Sequence, residues 1–68
     1  MSVLTEDECR ATADRVKSRL WECETPQDVE RVSDDERGAV KELAATEYGR
    51  PLAIQCANLK EYILREVQ

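Results

Sequence analysis

Apolar residues recur along this chain at helical spacing. In the first third they fall at Cys9, Ala13, Val16, Leu20 and Cys23, steps of four, three, four and three, the a/d spacing of a narrow helical seam. Ahead of the seam, Thr5-Glu6-Asp7-Glu8 has the form of a capping box, in which a Thr hydroxyl and a Glu carboxylate satisfy backbone N–H groups that the first turn leaves without partners. Together they predict a helix over 6–24. Two of the five seam residues are Cys and one is Ala, so this helix can approach a neighbour closely but buries little area by itself.

The next break is Thr25-Pro26. A residue before proline is pushed out of the α region, and proline itself suits the first position after a cap. A short connecting helix over 26–32 is predicted, with Val29 and Val32 facing inward. Ser33-Asp34-Asp35-Glu36 then reads as a second capping box and predicts a third helix over 34–48, with Val40, Leu43, Ala44 and Tyr48 tracking one face. At Gly49-Arg50-Pro51 magnitude decides between a kink and a stop. An interior proline costs about 3 kcal/mol and a glycine nearly 1 more relative to Ala, whereas both residues are favoured around helix ends. The break is therefore expected at 49–50, with Pro51 opening a fourth helix over 51–67. Its main stripe, Leu52, Cys56, Leu59, Ile63 and Val67, is assigned to the core or to a dimer face, and Ala53, Ile54, Ala57 and Leu64 widen it beyond what one partner helix covers.

No segment alternates like a strand. The expected fold is all-α: one helical domain over 1–68, a small bundle of three main helices plus a short connecting helix. Its core is thin, since the large apolar residues are six Val, six Leu, two Ile, Met1, Trp21, Tyr48 and Tyr62, with no Phe. Small scaffolds usually need a staple. Three cysteines form no Cys-x-x-Cys pair, there is no His to complete a zinc site, and no leader pattern opens the chain. Neither a metal nor a cofactor is expected, the cysteines read as small reduced hydrophobes in a cytoplasmic protein, and a homodimer is left as the staple. No apolar run approaches the roughly 20 residues that cross a bilayer, so no membrane partner is expected.

Charge adds a second theme. The net charge is −5, yet residues 22–36 hold Glu22, Glu24, Asp28, Glu30, Asp34, Asp35 and Glu36 against Arg31 alone. Helix N-termini favour carboxylates there, and the same cluster could steer the protein toward a basic partner surface. Trp21, off the helix seam, is expected to cover the second helix; the alternative is an aromatic anchor projecting beside the acids. Candidate partner-binding residues are thus Trp21, Glu22, Glu24, Asp28, Glu30, Asp34, Asp35 and Glu36.

Catalysis is not expected. There is no His, nucleophile elbow or phosphate loop, and the paired carboxylates are explained by capping. The function expected is a small acidic protein–protein interaction module, a regulator or inhibitor of a host protein of the kind carried by phages and other mobile elements, acting by binding. Two alternatives stand beside it. Residues 40–63 resemble a helix-turn-helix in outline and offer Arg50, Gln55, Asn58 and Lys60, side chains that can read bases or phosphates, although an acidic protein is a poor candidate for nucleic acid. The stretch CETPQDVERVSDDE, residues 23–36, resembles part of the Hha-type nucleoid modulators; that resemblance implies a helical protein that binds the oligomerisation domain of a DNA-coating protein through acidic residues.

Overall fold

Thr5 starts the first helix as its sequence requires. Its hydroxyl accepts a hydrogen bond from the Glu8 N–H at 3.2 Å, and the Glu8 carboxylate accepts one from the Thr5 N–H at 3.0 Å. The structure, a computed structural model, describes residues 4–68. It contains four helices, α1 (Glu6–Trp21), α2 (Pro26–Asp35), α3 (Arg37–Ala44) and α4 (Gly49–Val67), and no strand among the described residues. Met1 lies outside that range.

Three boundaries differ from the sequence expectation, each for a physical reason. The first helix stops at Trp21 rather than 24: the Cys23 N–H donates to the Leu20 carbonyl at 3.1 Å in a tightened last turn, and the chain then extends into Thr25 (φ −132°, ψ 157°), which caps α2 by accepting from the Asp28 N–H at 3.1 Å. The second helix runs through Ser33 to Asp35, so the Ser33 capping box does not form. Glu36 instead carries backbone hydrogen bonding through a bend at φ −100°, ψ 7°: its N–H donates to the Val32 carbonyl and its carbonyl accepts from the Val40 N–H, both at 2.9 Å. The third helix is accordingly only eight residues long, not fifteen.

The third difference is at the turn into α4, which occupies 45–48 and leaves Gly49 and Arg50 already helical. Thr46 supplies the cap. Its buried hydroxyl accepts from the Gly49 N–H at 2.8 Å and donates to the Leu43 carbonyl at 3.2 Å. Gly49 is required by proximity: a Cβ there would collide with the Leu43 carbonyl oxygen and fall 2.6 Å from the Thr46 hydroxyl.

Cross-helix contacts give the topology. Cys9 meets Thr46, Lys17 meets Gln55 and Trp21 meets Tyr62, so α1 and α4 run side by side in the same direction. Arg15 reaches Glu36 and Arg19 reaches Asp35, so α2 runs back along α1. The molecule is therefore a three-limbed bundle whose middle limb, α2 plus α3, is jointed at Glu36. Its core is Cys9, Ala13, Val16 and Leu20 from α1, Val29 and Val32 from α2, Leu43 from α3, and Ala53, Cys56 and Ile63 from α4. Leu52, Leu59 and Val67 pack half-buried against it. The small α1 seam, two Ala-sized or Cys-sized side chains in its first two turns, admits the α3–α4 turn closely enough for Cys9 Sγ to stand 3.5 Å from the Thr46 hydroxyl.

Candidate functional site

The acidic segment divides once folded. Glu36 is buried, and its carboxylate accepts from Arg15 Nε at 2.8 Å and Nη2 at 3.4 Å, with Arg19 Nη1 at 3.7 Å. Asp35 pairs with Arg19 at 3.1 Å. Both residues tie the jointed limb to α1: Glu36 from a buried position, Asp35 through a pair whose carboxylate stays about half exposed. Asp34 pairs with Arg37 one turn on, at 2.7 Å, and the Asp28 carboxylate accepts from the Glu24 N–H at 3.4 Å beside the α2 cap. Glu22, Glu24 and Glu30 are exposed and enter no ion pair among the described residues.

Trp21 stands at the surface. It is 61% exposed and meets Tyr62 of α4, itself 49% exposed, edge to face with ring centroids 6.0 Å apart and planes at 65°. Trp21 is the last residue of α1 and one position from Leu20, which faces the core, so it points about 100° away from the buried stripe. An edge-to-face pair of this kind is worth roughly 0.5–1.5 kcal/mol beyond area burial, which favours the pairing while about half of Tyr62 and more of Trp21 stay in water. Glu22 follows Trp21 directly. The result is an exposed aromatic platform at one end of the bundle, with the carboxylate of Glu22, unpaired among the described residues, next to it in the chain. Tyr62 was not among the residues that sequence reasoning singled out, because its pairing with Trp21 depends on the parallel packing of α1 and α4 and leaves no local signal.

A second concave feature lies between the jointed limb and α4. It is a groove of about 240 Å³, floored by Val16, Leu20 and Cys56, with Val40 and Ala57 on its walls and Arg37, Lys41 and Lys60 at its edges. Lys41 and Lys60 make no ion pair among the described residues. Of the residues proposed to read DNA, Arg50 and Asn58 are exposed, Gln55 accepts from Lys17 Nζ at 2.7 Å, and Lys60 sits on the groove edge.

Two of the three thiols are held away from the thiolate form. Cys23 is half-buried, and its thiol donates to the Arg19 carbonyl at 3.3 Å. Burial pushes its pKa up, Asp28 and Glu22 push it further, and Arg19 opposes them. Burial also raises Cys56, with Lys17 opposing. Among the described residues no group of three or more His, Cys, Asp or Glu side chains could hold a metal ion, and no helix is long and apolar enough to cross a membrane. No family model matches the chain, and neither a curated protein nor a solved structure matches it.

Proposed function

We propose that this chain is a small non-catalytic protein-binding module, a regulator or inhibitor that acts in the cytoplasm by docking on a protein with a basic surface. One observation carries the reading: Trp21 and Tyr62, two large aromatic rings, are held against each other at the surface of a protein with few large apolar residues to spend outside its core. Aromatic side chains, Trp and Tyr above all, are enriched among the energetic anchors of protein interfaces, and two such rings paired at the surface form one contiguous apolar feature rather than scattered single residues. The free carboxylates of Glu22, Glu24 and Glu30 supply the complementary charge that steers association and selects a basic partner. Ile54, 61% exposed on α4, supports self-association as well, and the homodimer is part of the proposal; sedimentation equilibrium showing a stable monomer at micromolar concentration would remove it.

The experiment is capture from lysate with tagged protein, compared with Trp21→Ala/Tyr62→Ala and with Glu22→Lys/Glu24→Lys/Glu30→Lys. Both variants alter exposed residues and keep the fold, checked by circular dichroism. Loss of the same captured protein in both supports the reading. Undiminished capture by both contradicts it. Low-salt titration with mixed-sequence duplex DNA runs alongside, and saturable binding weakened by Arg50→Ala/Asn58→Ala would favour the helix-turn-helix alternative instead.

A further inference from the structure

The groove between the jointed limb and α4 belongs to a different face from the Trp21–Tyr62 platform: on α4, Lys60 and Tyr62 project about 160° apart. We infer that this groove is a second docking site, one that takes an acidic amphipathic helix from a partner protein.

Three properties define the occupant. The floor is apolar, Val16, Leu20 and Cys56, with Val40 and Ala57 beside it, so the group that enters is apolar. The volume, about 240 Å³, falls below the roughly 300–1,000 Å³ of small-molecule sites and suits one or two inserted side chains. The edges are cationic on both walls. Arg37 and Lys41 stand one turn apart on α3, on the same face, and Lys60 faces them from α4. Glu36 also lines the groove, but Arg15 and Arg19 hold its carboxylate, so it does not offset the edge charge. Arg37 is paired only with Asp34, in an exposed contact that an incoming carboxylate can replace at little cost.

An occupant with an apolar row flanked by carboxylates on both sides matches that arrangement, and a helix provides it with apolar residues at i, i+3, i+4 and i+7. Laid along α3 and α4, it adds a fourth limb to a bundle that has three.

The test uses a fluorescein-labelled helical peptide of about 15 residues, with Leu at the four stripe positions and Glu on both flanks, and a counterpart with Lys in place of every Glu. Anisotropy titration against the full chain is expected to show saturable binding of the acidic peptide below about 100 μM, weakening as salt is raised, and at least tenfold weaker binding of the basic one. Lys41→Glu/Lys60→Glu should weaken the acidic peptide about tenfold and improve the basic one. Trp21→Ala/Tyr62→Ala should leave both unchanged, which separates this site from the proposed aromatic interface. Amide chemical shifts of the folded protein should move at Val40, Lys41, Ala57 and Lys60. Equal binding of the two peptides, no saturable binding of the acidic one, insensitivity to the Lys reversals, or shifts confined to the Trp21–Tyr62 end would each overturn the inference.

Discussion

The chain contains two glycines, and the same substitution at each should move stability in opposite directions. Gly38 is in the first turn of α3, and a Cβ there has nothing within 4 Å. Ala at that position removes the helix penalty of glycine and narrows the unfolded ensemble, so Gly38→Ala should stabilise by about 0.5–1 kcal/mol. Gly49 opens α4 against the end of α3. A Cβ there would collide with the Leu43 carbonyl oxygen and lie 2.7 Å from the Leu43 carbonyl carbon and 2.6 Å from the Thr46 hydroxyl. Two of those three atoms are backbone, and the third is a buried hydroxyl held by contacts to the Leu43 carbonyl, the Gly49 N–H and Cys9 Sγ. Relief requires α3 and α4 to separate, which breaks the Thr46 cap and loosens the packing of Leu43, a wholly buried residue. Gly49→Ala should therefore cost about 2–4 kcal/mol. In a domain of this size each kcal/mol shifts Tm by about 4–8 °C, so thermal unfolding followed by circular dichroism should show a rise of several degrees for the first variant and a fall of at least about 8 °C for the second. A Gly49→Ala protein as stable as the parent would refute the described α3–α4 turn, and a destabilised Gly38→Ala would refute the open space at the joint.

Other consequences can be read with the same methods. Glu36→Ala should cost about 1–2 kcal/mol, between the ~0.2–1 of an exposed pair and the ~3–5 of breaking a buried one, because Arg15 and Arg19 can return to water; a double-mutant cycle with Arg15→Ala should give favourable coupling, and strict additivity would contradict the clamp. The Glu8 carboxyl is held below its usual range by hydrogen bonds from Thr5, so its contribution is present above the ordinary Glu pKa and is lost as pH falls through the lowered value. Glu8→Gln should thus be less stable than the parent near neutral pH and indistinguishable from it in strong acid; a deficit that persisted there would point to packing instead. Native alkylation followed by mass spectrometry should label Cys23 slowly and leave Cys9 and Cys56 unlabelled until unfolding, and rapid labelling of Cys56 would contradict its burial.

Local chemistry announced some parts of this fold and concealed others. The Thr5 capping box and the Thr25-Pro26 start are interactions among residues a few positions apart and are present as the sequence implied, and the α1 seam is present from Cys9 to Leu20, with Cys23 falling beyond the helix end. Ser33-Asp34-Asp35-Glu36 was deceptive for the opposite reason. Its local capping potential competes with ion pairs from Asp35 and Glu36 to Arg19 and Arg15, residues far off in the chain, and with continued burial of Val29 and Val32. Those tertiary terms prevail and keep Ser33 helical. Thr46 carried a readable signal, a hydroxyl three residues before Gly49, but the Gly-Arg-Pro run drew the break to the wrong side of the glycine. The Trp21–Tyr62 platform and the cationic groove could not be found from spacing, since both depend on how three limbs are arranged.

Trp21 is the sole tryptophan, which makes quenching of its fluorescence the most direct test of the central claim, that it is an exposed anchor within an acidic rim. In the free protein its emission should resemble that of tryptophan in water, and, each measured relative to free tryptophan in the same salt, quenching by caesium should be enhanced more than quenching by iodide, because the adjacent Glu22 attracts the cation and repels the anion. On formation of the complex with the captured partner, quenching by both ions should fall sharply. A blue-shifted emission that neither ion quenches in the free protein, or quenching unchanged by the partner, would contradict the account.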